Sequence, residues 1–283
     1  MGLARRLMSP LEFTAIVVAI SGVAGFLGSL TGLGGGVVVT PALTLLLGVD
    51  LHHAMGAALI SVIATSSGAA AAYVREGFSN VRVGMFLEIA TTIGAVVGAA
   101  LTAILPASAL SILFGAVLLY SAWHSLRQRA EAAPAAPDPL SARLRLNGAY
   151  PEAGRMVRYT VGRVKAGFAV MFGAGLLSGL LGIGSGAMKV IAMDQVMRIP
   201  FKVSTTTSNF MIGVTAAASV GIYLRRGYVD PALAMPVMLG VLAGSILGAR
   251  QLIGARAHAL RLVFGAVVAV LAIEMIYNGV RPR

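Results

Sequence analysis

The chain contains no cysteine and few charged side chains, and these two absences exclude several classes of protein. Of its 283 residues 11% are charged, whereas soluble domains carry about 25% charged residues. Without cysteine the protein can form no disulfide, no thiolate metal site and no cysteine nucleophile. Hydrophobic residues make up 58% of the chain, a composition typical of membrane proteins.

Acidic residues are also scarce, with Asp and Glu numbering 10 against 22 Lys and Arg, for a net charge of +12. The excess is arginine in the breaks between apolar runs, as in the cytoplasmic loops of membrane proteins. This distribution argues against a nucleic-acid partner and indicates that the chain lies in a lipid bilayer.

Long apolar stretches predict an all-α polytopic membrane protein. They cover 13–30, 37–48, 54–73, 83–105 and 108–123, then 164–181, 187–196, 203–223, 233–253 and 257–277. As a helix, 37–48 would rise about 18 Å, too little for a hydrocarbon core of about 30 Å, so we expect a half-helix. Arg5 and Arg6 before an apolar run resemble a signal peptide, but the repeat described below argues against cleavage.

A polar connector, rich in Arg, Ala and Pro, separates two membrane regions. We predict a first membrane repeat over 1–125, a basic cytoplasmic linker over 126–162 and a second repeat over 163–283. Within the linker, partial alternation around Asn147-Gly148 fits a small hairpin, although disorder with a few ordered turns fits as well.

The two membrane regions repeat each other at a constant offset of 150 positions. The matches include Gly25/Gly175, Gly32/Gly182, Gly34/Gly184, Gly36/Gly186, Tyr73/Tyr223, Arg75/Arg225, Gly94/Gly244 and Gly98/Gly248. Duplicated halves, each with a Gly-interrupted apolar segment in a corresponding position, point to a transporter whose site lies between the repeats.

The orientation of the halves depends on whether each Gly-loop hairpin, broken or re-entrant, counts as one crossing or two. Counting it once gives each half about four spanning helices, in parallel repeats with both termini and the linker in the cytoplasm. Counting it twice gives inverted repeats. The arginine pattern slightly favours the parallel arrangement.

The glycine loops at 32–36 and 182–186 are the first candidate site. Unwound backbone in a membrane needs protein or a water-filled cavity around it, and the half-helix that follows presents free N–H groups. We therefore expect an anion to bind at Gly34, Gly35, Gly36, Gly184, Ser185 and Gly186. The alternative is that the glycines only allow close helix packing.

Uncharged hydrogen-bond donors form the second candidate, because hydroxyls and amides can bind an oxyanion that has lost its water shell. From the polar run 204–209 we select Thr206, Ser208 and Asn209, and from the first half Ser66. The alternative is that these groups bond back to their own helix or cap it.

Charged residues inside apolar segments are candidates by default. Lys189 follows the second loop, where a cation would help to hold an anion; its alternatives are a pair with Asp194 or an ammonium reaching the interface. Glu88 and Glu274 lie near segment ends and are more typical of interfacial groups, or of partners of a nearby arginine, than of proton carriers.

The Gly-Leu-Gly-Gly-Gly loop, its copy, and the run Thr206-Thr207-Ser208-Asn209 resemble the TauE/SafE family of sulfite exporters over nearly the whole chain except the linker. The resemblance implies a bacterial inner-membrane carrier for sulfite, sulfoacetate or another organosulfonate, with no cofactor. The first half, however, has Gly56-Ala57-Ala58-Leu59 where relatives often carry a Thr-Ser motif, so the site is expected to be asymmetric.

We therefore expect a secondary carrier with alternating access, for which protons and sodium ions are the candidate coupling ions. The competing functions are an anion channel and a membrane-embedded enzyme or assembly subunit, although no paired carboxylates or Ser/His/Asp set suggests catalysis. Small-residue surfaces at Gly94, Gly98, Gly244 and Gly248 could pack helices within one chain or between the copies of a homodimer.

Overall fold

The computed structural model describes residues 9–31, 35–75, 78–126, 136, 138–152, 155–252 and 257–281. The first half contains α1 (Pro10–Thr31), α2 (Gly36–Leu47), α3 (Leu51–Arg75), α4 (Val81–Leu101) and α5 (Ala107–Leu126). The linker contains α6 (Pro139–Arg143), β1 (Gly148–Glu152) and β2 (Arg155–Tyr159). The second half contains α7 (Val164–Leu181), α8 (Gly186–Ile191) with a π-helical turn (Ala192–Val196), α9 (Phe201–Arg225), α10 (Pro231–Leu252) and α11 (Ala257–Val280).

Apolar helices with apolar outer faces make this a polytopic membrane protein. Within the described residues, 4 helices are long and apolar enough to cross a bilayer, namely α1, α4, α7 and α9. Met85, Ile89 and Ile93 lie exposed along one face of α4, as do Met235 and Leu239 on α10. Apolar stripes of this kind suit contact with lipid rather than with water.

Corresponding helices begin 150 residues apart. The starts of α2, α3, α4 and α5 at Gly36, Leu51, Val81 and Ala107 recur in α8, α9, α10 and α11 at Gly186, Phe201, Pro231 and Ala257. The short helix predicted at 37–48 is α2, with 12 residues.

Helices of one half pack against helices of the other. Among the described residues, the most extensive contacts between helices are those of α1 with α10 and of α4 with α7, and both depend on glycine. A Cβ atom at Gly175 would lie 2.7 Å from the Cα of Thr91, and one at Gly25 would lie 2.7 Å from the Cα of Val241. Gly94, Gly98 and Gly244 therefore serve packing within the chain, since each also touches backbone of the opposite half.

Two pairs of helices, each made of one helix from the first half and its equivalent from the second half, run antiparallel. In the pair α5 and α11, Gly115 lies beside Ala272 and Gly279 lies beside Ser108. In the pair α3 and α9, likewise, the start of α3 lies beside Tyr228, after the end of α9. Parallel repeats would make each pair run in the same direction, so the preference for parallel repeats was wrong.

The Gly-loop hairpin of the second half passes through the protein twice. Both α7 and α9 run parallel to α4, so α8 and the π-helical turn must return the chain between them. The contacts that fix these directions are Gly94 with Phe172, Gly98 with Leu176, Gly84 with Thr207 and Ala99 with Arg226. Counting the hairpin as one crossing was therefore also wrong.

The linker covers the face where α4 and α9 begin. Asn80, just before α4, donates to the carbonyl oxygen of Leu146 at 2.9 Å and to the hydroxyl of Tyr159 at 2.7 Å. The hairpin is present, but Glu152 pairs with Arg155, so the chain reverses there and not at Asn147-Gly148.

The described ends of the chain, at Ser9 and Arg281, lie on the opposite face from the linker. Gly279 lies beside Ser108, at the start of α5, whereas the linker follows the other end of that helix. At the other terminus, α1 runs parallel to α10, because Gly240 contacts Val18 and Gly244 contacts Phe26. The described ends of the chain and the linker therefore lie on different faces, whereas the sequence led us to expect linker and termini on one side.

Candidate functional site

The described part of the first glycine loop differs from the second loop. In the first half, Gly34 lies outside the described residues, and buried Gly35 caps α2 with its carbonyl oxygen, which accepts from the amides of Val38 and Val39. In the second half, Ser185 follows Gly184 in the left-handed region, with φ of 46° and 70°. This conformation is common for glycine and uncommon for serine, so the second loop is locally strained.

The crossing of α3 and α9 lies between the two loops. A Cβ atom at Gly36 would lie 2.5 Å from Val62 of α3, and one at Gly184 would lie 3.1 Å from the same side chain. From α9, the hydroxyl of Ser208 donates to the carbonyl oxygen of Gly186 at 3.1 Å. The structure thus brings residues from both predicted loops around one crossing.

Ser66 and Ser185 add hydroxyls near this crossing. Ser66 lies on α3 against Gly213 of α9 and donates to the carbonyl oxygen of Ile63 at 3.1 Å. Ser185 is 3% exposed, and its hydroxyl makes no hydrogen bond with the described residues. A buried hydroxyl without a partner is costly, and a bound anion would supply the missing acceptor.

The hydroxyl of Thr206 does not join this group. The hydroxyl of Thr206 donates to the carbonyl oxygen of Phe78 at 3.1 Å and to that of Lys202 at 3.0 Å, which anchors α9 near the linker. Asn209 is half-buried. Ser208 is the member of the polar run whose side chain reaches a glycine loop.

A buried ion pair lies between α4, α8 and α9. Lys189 is 0% exposed, and its ammonium nitrogen lies 3.8 Å from Oε2 of Glu88. The ammonium also donates to the hydroxyl of Thr215, which in turn donates to Oε1 of Glu88 at 2.6 Å. Lys189 thus pairs with Glu88 and does not reach the interface.

Glu88 is the functional candidate that the sequence analysis placed wrongly. It was expected near the membrane interface, but it is 6% exposed and faces Lys189 across the helix interface. A useful signal was present in the sequence, because an isolated acid and an isolated base in two apolar segments can bury charge only by meeting.

A family match covers almost the entire chain. The sequence model described as "Sulfite exporter TauE/SafE" matches residues 17–275 of the chain. The chain belongs to the TauE/SafE family. The matched region includes both glycine loops and the Glu88–Lys189 pair.

Curated relatives match the chain over nearly their whole lengths. The probable membrane transporter protein YunE of Bacillus subtilis is 27% identical over 280 residues, covering 94% of this chain and 98% of the relative. YdhB of the same organism is 27% identical, covering 83% and 89%, and a probable transporter of Xylella fastidiosa is 26% identical, covering 93% and 95%. No solved structure gives a significant match. Family and relatives together identify a membrane transporter.

Proposed function

We propose that the protein is a secondary carrier for a small sulfur-containing anion: sulfite, sulfoacetate or another organosulfonate. The observation that carries the proposal is one buried cation, Lys189, beside a strained glycine loop whose Ser185 hydroxyl has no partner among the described residues. Cation, hydroxyl and backbone amides together are suited to an oxyanion. The family description, sulfite exporter, favours sulfur among the oxyanions.

The proposed site combines the two loops with the helices that cross between them. Backbone amides of Gly34, Gly35 and Gly36, and of Gly184, Ser185 and Gly186, would donate to the anion. Lys189 and the hydroxyls of Ser66, Ser185 and Ser208 would add charge and hydrogen bonds. Thr206 is left out of the proposed site because its hydroxyl is engaged in anchoring α9, whereas the half-buried Asn209 on the same helix stays a proposed donor.

We infer that the two halves are inverted repeats. The recurring helix starts, together with the antiparallel pairs α3 with α9 and α5 with α11, support this inference. In carriers of this kind, each repeat takes the conformation of the other in turn, so a site between them opens to the two sides alternately.

We place the linker in the cytoplasm and both termini on the outer side of a bacterial inner membrane. Cationic residues on the described linker face outnumber those on the opposite face, as the positive-inside rule requires of the cytoplasmic side. The linker-face residues are Arg82, Arg143, Arg145, Arg155, Arg158, Arg163, Lys165, Arg198 and Lys202, and the opposite-face residues are Arg225, Arg226 and Arg281.

The substrate class can be tested with purified protein in proteoliposomes. Uptake of labelled sulfite should saturate, and unlabelled sulfoacetate or isethionate should compete with it better than acetate or chloride. Non-saturating uptake would identify a channel, and equal competition by acetate would contradict the proposed substrate class. Liposomes without the protein control for passive entry of protonated sulfite through the lipid.

A further inference from the structure

The buried pair of Glu88 and Lys189 sets the charge of the candidate site. The pair consists of one carboxylate and one ammonium, both almost fully buried, so its net charge is zero. A monovalent anion that binds Lys189 would leave this low-dielectric region with a net negative charge. Such a charge is costly to bury unless a proton or another cation neutralises it.

Glu88 is built to accept that proton. Its Oε1 accepts hydrogen bonds from Thr215 at 2.6 Å and from Thr92 at 3.3 Å. Its Oε2 accepts no hydrogen bond from the described residues and is held by the charge of Lys189 at 3.8 Å. When the Lys189 ammonium moves to bind an anion, Oε2 no longer has a positive charge beside it and can take a proton.

We propose that Glu88 is the coupling site of the carrier, and that it gains one proton when Lys189 exchanges its carboxylate partner for the anion. The inference rests on the proposed function, since it requires an anion at Lys189. The proton comes from water on the side from which the anion enters. It returns to water when the anion leaves and the ion pair re-forms, so anion and proton cross together.

The surrounding elements offer few other titratable groups. Of the charged residues on α4, α7 and α9, Arg82, Lys165, Lys202 and Arg225 stand at helix ends. Asp194, in the π-helical turn after α8, is the other carboxyl group on the segment that carries Lys189, and it is 7% exposed. Asp194 must therefore be tested beside Glu88.

The pair occurs in one half of the duplication. At the same offset, Val39 corresponds to Lys189 and Met238 corresponds to Glu88, and neither can ionise. Thr65, by contrast, corresponds to Thr215. Among the described residues this is the buried Lys–Glu pair, and a single such pair predicts one proton for each anion transported.

The test measures exchange and proton-driven accumulation separately. The probe is labelled isethionate or sulfoacetate, whichever gives counterflow, because a sulfonate stays ionised at every pH used. With the membrane potential clamped at zero, an inward gradient of about one pH unit should drive about tenfold accumulation by the wild type. Glu88→Gln should retain exchange but accumulate nothing, and Glu88→Asp should restore accumulation with a shifted pH profile.

Controls and direct proton measurement separate the outcomes. Glu274→Gln, at an exposed position of α11, and Asp194→Asn should accumulate the anion like the wild type. In detergent, adding the anion should remove about one proton per wild-type carrier from a weakly buffered, dye-containing solution. If the wild type exchanges the anion but accumulates none under the pH gradient, the coupling site alone is overturned. The same holds if Glu88→Gln still accumulates the anion like the wild type. Absence of exchange by the wild type overturns the proposed function as well.

Discussion

At the scale of single residues, the proposed site depends on charges that are buried among the helices. Removing one partner of a buried ion pair strands the other charge and costs about 3–5 kcal/mol, so single substitutions affect both stability and binding. The double variant Lys189→Gln with Glu88→Gln removes both charges together. It therefore separates the loss of the anion site from the cost of a stranded carboxylate.

We predict that Lys189→Ala raises the half-saturation concentration for sulfite uptake by about 10- to 100-fold, because a charged hydrogen bond is worth about 1.5–3 kcal/mol. The double variant should show a similar increase with stability nearer that of the wild type. Lys202→Ala is the matched control, since that side chain is 59% exposed and pairs with Glu152. Unchanged uptake kinetics in Lys189→Ala would remove Lys189 from the site.

Residue types could be predicted from the sequence more readily than residue partners. Lys189 was selected because its charge follows a glycine loop, and Ser185 was selected because its backbone amide lies within that loop. Glu88 was misplaced because its partner lies about a hundred positions away, and distance along a helix does not show which neighbour a side chain faces. Thr206 was selected by residue type, but its hydroxyl is satisfied by Phe78 and its own helix.

At the scale of helices, glycine sets how closely α4 approaches α7. We predict that Gly175→Ala lowers stability by about 1–3 kcal/mol, since its Cβ atom would meet the backbone of Thr91 and overpack the contact. Gly173→Ala, on the same helix, is the control because a Cβ atom there has nothing within 4 Å. Thermal unfolding in detergent measures both, and equal melting temperatures would contradict the packing argument.

Asp138 joins the linker to α7, and this connection should depend on pH. Its Oδ2 accepts from the amide of Val164 and its Oδ1 from that of Leu140, both at 2.9 Å, and these bonds, led by Val164, hold the pKa of the carboxyl below its usual value. A lowered folded-state pKa gives stability that is present above the unfolded-state pKa of about 3.9 and lost as pH falls through the folded-state value.

We therefore predict that Asp138→Asn speeds hydrogen exchange in the linker at neutral pH, and that the difference from the wild type disappears only in strong acid. Glu12→Gln, at the N-terminal end of α1, is the control and should leave linker exchange unchanged. A difference that vanishes already near neutral pH would contradict the assignment of the carboxylate.

Helix positions followed from the apolar pattern, but the linker turn did not. The stretch predicted at 54–73 lies within α3, Leu51–Arg75. Asn-Gly is a strong hairpin signal, yet the side chain of Asn147 accepts from the amide of Val161 at 2.9 Å and from the hydroxyl of Ser141 at 2.6 Å. Asn147 thus connects Ser141 with Val161 across the linker, and the turn preferences of neighbouring residues do not reveal contacts between such distant positions.

At the scale of the whole molecule, the arginine pattern could not fix topology. The sequence correctly indicated a membrane protein, but a helix of 12 residues left open whether the hairpin crosses once or twice. Contacts between distant helices decide the question, because they show that α7 and α9 run in the same direction.

Topology can be tested directly, since every introduced cysteine is the only one in the chain. We predict that Ser9→Cys and Asn278→Cys react with a membrane-impermeant maleimide in right-side-out vesicles, whereas Arg158→Cys reacts in inside-out vesicles. All three positions are exposed. Labelling of Ser9→Cys and Arg158→Cys from the same side would contradict the inverted arrangement.

Counterflow of labelled sulfite is the most direct test of the central claim, that a carrier with alternating access binds a sulfur oxyanion at Lys189. Proteoliposomes loaded with unlabelled sulfite should take up external label faster than empty ones and pass through a transient maximum. The double variant at Lys189 and Glu88 should lose this response. Equal uptake by loaded and empty vesicles, or an unchanged response in the double variant, would contradict the account.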